Sequence, residues 1–192
     1  MEIPFLIELE KKSGKRINTI LQLRLHQNVI ALKKEIQTKT SGEKHEVSIE
    51  FITARGNWYF NSWKGRAAES GGIVTNIGIH LFDLLIWLFG NVEDVGIEHY
   101  GRGKVSGHLE LRNARVKWML SIDENDLPGD NKESGKRFFR QLNINGISLR
   151  LDDGMEGLHT ACYKEILAGN GPGIVDASPS IELCNRIQRM AD

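Results

Sequence analysis

Asn76, His80 and Asp83 stand inside the otherwise apolar run of residues 71–90, GGIVTNIGIHLFDLLIWLFG. An imidazole can take up or release a proton near neutral pH, a carboxylate can orient its ring, and an amide can hydrogen-bond a ligand. A helix advances about 100° per residue, so these spacings put the three side chains on one stripe, with Gly72 one turn earlier. Leu81, Leu84, Leu85, Leu88 and Phe89 fall on other faces and are candidate core. Buried polar groups are costly unless paired. The stripe is therefore either a core histidine satisfied by Asp83 or the lining of a wet cleft. Small and polar residues together favour a ligand that approaches closely.

A second segment, residues 52–65, reads ITARGNWYFNSWKG. It is either an Ω-like loop pinned by its own aromatics or a binding loop. As a binding loop, its aromatics form walls and Arg55 and Lys64 attract an anion. Ser62 and the glycine amides then donate hydrogen bonds. Single-stranded nucleic acid is held by similar residues. However, Lys plus Arg and Asp plus Glu balance at 25 each, and a neutral chain has no basic field to attract it.

These segments need elements to hold them. Residues 4–12 have helical spacing (Phe5, Leu6, Leu9) and are stopped by Ser13-Gly14. Residues 17–25, INTILQLRL, form the dense apolar run of a buried strand, and residues 27–36 are helical again. Beyond the polar stretch 38–44, Val47, Ile49 and Phe51 alternate with polar residues, as in a half-buried strand. Further strands are expected at 92–100, 106–111 and 115–122, the last two joined tightly at Asn113-Ala114. Residues 138–144 and 148–151 should pair around Asn145-Gly146. Residues 158–167 form a helix closed by Gly169. Residues 179–190 form another, with Ser178 as N-cap and Pro179 in the first turn. Residues 123–136 read as an exposed, mobile loop. The fold class is α+β: a large, mostly antiparallel sheet with helices on one face. Trp118 and Leu120 alternate with Lys117 and Met119, which puts large residues on both faces. An apolar outer face predicts burial against another subunit.

Several motifs are missing. Residues 129–136 miss the phosphate-loop spacing, and Gly101, Gly103 and Gly107 miss the dinucleotide one. Two cysteines, Cys162 and Cys184, lack metal spacing and fit reduced thiols in the cytoplasm. The apolar run 73–89 is short for a membrane span and contains Asn, His and Asp, so it reads as a core helix.

Taken together, ITARGNWYFNSWKG and SGGIVTNIGIHLFDLLIWLFG resemble the C-terminal domain of the Gfo/Idh/MocA oxidoreductase family. Within it, the chain is most similar to the UDP-N-acetylglucosaminuronate 3-dehydrogenases of the WlbA/WbpB type, from lipopolysaccharide O-antigen biosynthesis. The family helix carries Asp-x-Gly-x-His-x-x-Asp. This chain has Asn76-Ile77-Gly78-Ile79-His80-Leu81-Phe82-Asp83, with Asn in place of the first Asp, as in that subgroup. The resemblance implies a preceding Rossmann domain that binds NAD and supplies a catalytic Lys. Residues 1–36 would be the remnant of that domain and the connection out of it, and residues 37–192 the substrate-binding and oligomerisation domain. It implies His80 as general base or proton relay, with Asp83 behind its ring. Thr75 and Asn76 would bind the sugar. Arg55, Gly56, Ser62, Trp63 and Lys64 would bind the uronate and part of the nucleotide, and Arg24 the cofactor or substrate. It also implies a UDP-sugar substrate and a homodimer or homotetramer formed through the sheet face, with no metal, nucleic-acid or membrane partner. An isolated fragment would be inactive. Two other classes are a stand-alone sugar-nucleotide binding or scaffold protein, and a metal enzyme using His80, Asp83 and His108 or His159.

Overall fold

The structure, a computed structural model, describes residues 2–38 and 42–191. Residues 39–41 of the polar stretch lie outside the described residues. The elements run α1 (Ile3–Ser13), α2 (Gln27–Thr38), β1 (His45–Thr53), α3 (Trp58–Asn61), α4 (Ala67–Ser70), α5 (Gly72–Asn76), α6 (Gly78–Phe89), β2 (Val92–Tyr100), β3 (Lys104–Leu111), β4 (Ala114–Ser121), α7 (Gly129–Glu133), β5 (Phe138–Ile144), β6 (Ile147–Arg150), α8 (Leu158–Leu167) and α9 (Ile174–Ala191). The strands form one six-stranded sheet in the order β2-β3-β4-β1-β5-β6. The β1–β4 pair is parallel and every other pair antiparallel. The expected α+β class holds.

Period-two alternation decides which face is covered. Val47, Ile49 and Phe51 of β1 point inward with Val116, Trp118 and Leu120 of β4. They pack in one core with Leu81, Phe82, Leu84 and Leu85 of α6 and Leu183 and Ile187 of α9. The Phe82 and Trp118 rings meet edge to face at 5.1 Å. Helix α6 lies close on the sheet because Gly78 permits it: a Cβ there would come within 2.7 Å of Leu120 and 2.9 Å of Phe82. The β5–β6 hairpin turns at Asn145 (φ 50°) and Gly146 (φ 84°), both left-handed, as a type I′ turn requires.

Several expectations change. Residues 17–25 do not form a strand. They make a single bridge, Asn18 to Gly173, and then a 3-10 turn at Gln22–Leu25. Apolar composition does not make a strand without a partner strand, and none is present among the described residues. The last helix begins at Ile174, not Pro179, and Pro179 lies inside it. Asp176 accepts a hydrogen bond from the Gly173 N–H (2.7 Å), an N-terminal cap that the Ser178-Pro179 signal obscured. The two-residue turn between β3 and β4 is Arg112-Asn113, one residue early.

Residues 123–136 are tied down. Asp126 accepts from Ser121 (2.6 Å) and Lys104 (2.7 Å), and Asn131 donates to the Phe138 carbonyl (2.8 Å). Leu127 is buried with Ile52, Ala54 and Phe139 in a small outer core, and Met119 packs against it. Trp118 and Leu120 both face the helices, so the outward residues of β4 are Arg115, Lys117, Met119 and Ser121. The open face is therefore polar over much of its area, with Met119, Ile52 and Phe139 as its apolar members.

Among the described residues no single helix is long and apolar enough to cross a membrane. Residues 67–76 and 78–89 reach that length together but bend by 42°.

Candidate functional site

The expected continuous helix 71–90 is broken. Asn76 ends α5, Ile77 has φ −116°, and α6 restarts at Gly78. His80 therefore lies in the first turn of α6, with Asn76 just across the break. Both are half-buried, and their side chains make no hydrogen bond among the described residues. Burial pushes the His80 imidazole below its ordinary pKa, and the nearby charges of His159 and Arg140 push the same way. His80 is thus neutral at pH 7 and can accept a proton.

Asp83 does not orient His80. Its carboxylate accepts from Arg24 Nε (3.0 Å) and Nη2 (2.6 Å) in a two-pronged ion pair. A forked, charge-assisted contact outcompetes a single bond to an imidazole. It fastens the 3-10 turn to α6. The guanidinium also donates to the Asp176 carbonyl (3.1 Å) and lies over Trp87. Arg24 is therefore engaged with protein groups at this junction. Thr75 accepts from Gln188 of α9 (3.0 Å).

The segment after β1 is a built loop. Its entry is pinned by Ala54 N–H to Arg137 O (2.7 Å) and Arg55 N–H to Ile122 O (2.9 Å). Tyr59 is buried as its anchor, and Ser62 donates to the Tyr59 carbonyl (2.8 Å). Gly65 passes so close that a Cβ would lie 2.4 Å from Tyr59 O. With Tyr59 turned in, Trp58 and Trp63 stay exposed, at 52% each. Arg55 lies over Trp58 (6.0 Å) and Lys64 over Trp63 (5.8 Å). Beside them a cavity of about 340 Å³ is lined by Arg55, Gly56, Trp58, Arg137 and Phe138. The loop thus offers cations on aromatic faces, a surface for an anionic ligand with a flat ring.

Two residues near this site, Arg137 and Arg140, were not among the expected site residues, and His159, weighed from the sequence only as a metal ligand, acts on His80 through its charge. Arg140 occupies an inward position of β5, paired with Phe51 of β1. Its guanidinium lies near the rings of Phe51 (5.0 Å) and Phe138 (5.1 Å). The alternation Phe138, Arg140, Leu142 was the available signal: a charge at a core-facing position. No group of three or more His, Cys, Asp or Glu side chains comes together among the described residues. Asp83 pairs with Arg24, and His108 lies on β3 near Glu98 (3.9 Å), so the three-ligand set considered from the sequence is not assembled.

The family model described as the oxidoreductase family, C-terminal alpha/beta domain, matches residues 33–121. Two solved structures of the WlbA (WbpB) dehydrogenase from Thermus thermophilus, one with NAD and alpha-ketoglutarate and one with NAD and UDP-GlcNAcA, are each 40% identical to this chain. They cover 97% of it with a TM-score of 0.92. The chain spans 60% of the length of those two structures. The WlbA dehydrogenase from Chromobacterium violaceum, 18% identical over 95% of this chain and 62% of its own, shares the fold with a TM-score of 0.72.

Proposed function

The chain carries the C-terminal α/β domain of the Gfo/Idh/MocA oxidoreductase family, and we propose that it is the substrate-binding part of an NAD-dependent nucleotide-sugar dehydrogenase. The substrate in this reading is UDP-N-acetylglucosaminuronate, oxidised at the sugar C3 hydroxyl. The observation that carries it is the neutral, unpartnered imidazole of His80 within reach of the Arg140 charge, on a helix pair whose first member, α5, touches the Trp63–Gly65 turn of the cationic, aromatic loop.

His80 takes the hydroxyl proton as the C3–H bond breaks, because its ring has a free, unprotonated nitrogen with no protein partner. The nicotinamide, when bound, accepts the hydride. Asn76 and Thr75 hydrogen-bond the sugar and hold that hydroxyl toward His80. Arg55, Gly56, Ser62, Trp63 and Lys64 receive the anionic and planar parts of the nucleotide. Asp83 acts at one remove: with Arg24 it fixes the helix that carries His80.

No described strand-turn-helix carries a Gly-x-Gly-x-x-Gly, so the residues here do not form a dinucleotide cradle. We place the cofactor on a Rossmann domain outside them, with residues 1–36 as its tail. The segment 17–21, with its single bridge, would then complete a sheet in that domain. The reading further includes a cytoplasmic enzyme of lipopolysaccharide O-antigen synthesis that self-associates through the open sheet face. The outward Glu46, Arg115 and Lys117 give that face charges of both signs.

The test is spectroscopic. The intact protein with NAD and UDP-N-acetylglucosaminuronate should form NADH, and the 192-residue chain alone should not. Absence of NADH from the intact protein, with the sugar nucleotide nevertheless bound, would point instead to a binding protein.

A further inference from the structure

We propose that Arg140 is the residue that recognises the sugar carboxylate, so that the site accepts a uronate and refuses its uncharged parent. This rests on the substrate reading above and assigns a residue within it.

Arg140 lies where the fold would otherwise put an aliphatic side chain. On β5 it shares the inward face with Leu142, and its side chain is 15% exposed. A cation in such a position is costly unless it is paired or used. Its pairing is poor. Nε is buried with no hydrogen-bond partner, and the nearest carboxylate oxygen, Asp152 Oδ1, is 3.9 Å from Nη1. That distance is beyond a hydrogen bond. Asp152 is instead in short contact with Arg150. Two arginines thus share one buried carboxylate, and Arg55 adds a third positive charge close enough to act on Arg140. The cluster carries excess positive charge and unused donors.

The guanidinium is also preorganised. Phe51 and Phe138 both pack against it, at 5.0 and 5.1 Å, which limits the rotamers it can lose on binding. A flat, immobilised fork suits a carboxylate, which takes two parallel N–H bonds. The other cations at the site are placed differently. Arg55 is exposed, and Lys64 sits on the loop above Trp63, toward the nucleotide end. A uronate carboxylate belongs to the same ring as the reacting C3, so its partner must stand close to His80. Arg140 does: its charge is felt at the His80 imidazole. A bound carboxylate would offset that charge and leave His80 a better base, which couples recognition to proton removal.

Calorimetric titration of the intact protein, saturated with NAD, tests the assignment. The ligands are UDP-N-acetylglucosaminuronate and UDP-N-acetylglucosamine. The native protein should prefer the uronate. Arg140→Met should cut uronate affinity by about ten- to a hundred-fold, the reach of one charge-assisted pair, and leave the parent's affinity within about threefold. Arg140→Lys should keep part of the preference, as a point charge without the fork, and decides the matter if Arg140→Met does not fold. The uronate, and not the parent, should raise the titration midpoint of the His80 ring by NMR. A preference that survives in both variants, or equal loss of both ligands in Arg140→Met, overturns the assignment while leaving the substrate reading intact. If the native protein binds neither nucleotide sugar, the substrate reading fails and the assignment with it.

Discussion

Replacing Arg24 by Met should destabilise the protein strongly, and more so at high pH. Met keeps the stem and removes the fork, which leaves the Asp83 side chain, 3% exposed, without its cation. At about 4 Å between charge centres and an effective dielectric of ~20, the lost attraction is about 4 kcal/mol. That agrees with the ~3–5 kcal/mol typical of breaking one half of a buried pair. For a domain of this size the melting temperature should fall by roughly 6–20 °C. The pH dependence has a definite sign. Burial already pushes the Asp83 carboxyl above its ordinary value, although its hydrogen bond from Arg24 and that cation's charge pull it down. Without Arg24 it rises further. A carboxyl whose folded pKa exceeds its unfolded value favours folding at acid pH, and that contribution is lost as pH rises through the folded pKa. The deficit of Arg24→Met relative to the native protein should therefore grow between the raised Asp83 pKa of the native fold and the still higher one of the variant, by up to ~1.4 kcal/mol per pH unit. It should level off above the folded pKa. Urea unfolding at pH 5, 6, 7 and 8 measures it. The double variant Arg24→Met/Asp83→Leu should recover most of the loss, because an apolar pair of similar size replaces the ion pair. A deficit under ~1 kcal/mol, or one that does not change with pH, would refute this account of the clamp.

His80→Ala in the intact protein should lower turnover by about two to four decades, measured by NADH formation. Near-native turnover would return His80 to the role of a core histidine. The pH–rate profile should rise to its plateau with a midpoint below 6.5, since burial lowers the His80 pKa and the neutral form is the active one. A midpoint above 7 contradicts this. Trp63→Ala, at an exposed position, should change stability by less than ~0.5 kcal/mol and weaken nucleotide-sugar binding by about tenfold, read by melting and titration together. Gly65→Ala should cost ~1–3 kcal/mol, because the new methyl group meets backbone atoms of Tyr59 and Phe60 that cannot swing aside. An unchanged melting curve would show that the loop can yield.

The sheet could be read from the sequence because its signals are local: alternation in β1, the Asn145-Gly146 turn, and the Gly14 stop of α1. The polar stripe of residues 76–83 was legible for the same reason. Partnership was not legible. Helical spacing puts Asp83 near His80, but nothing local shows that Arg24, far away in the chain, claims the carboxylate. Residues 17–25 have the composition of a strand and only one bridge, since a strand is a property of two segments. Residues 123–136 looked mobile because their anchors, Asp126, Leu127 and Asn131, are scattered among polar neighbours. Arg140 was hidden for another reason: an arginine in a strand is normally assigned to the outward face.

The one parallel pair of the sheet divides its rims between two kinds of change. Because β1 and β4 run the same way, their exits lie side by side, at Thr53 and Ser121. The Arg55–Lys64 loop, the 123–136 segment, the β2–β3 turn and the entry to β5 therefore crowd one rim. The opposite rim carries the short turns Arg112-Asn113 and Asn145-Gly146. Under the proposed function, variation on the first rim alters what is bound, whereas the second is largely free of that selection. A peptide tag, a fluorophore or an inserted domain placed at Asn145-Gly146 would sit on the rim opposite the Arg55–Lys64 loop and would report on the protein without entering the proposed chemistry.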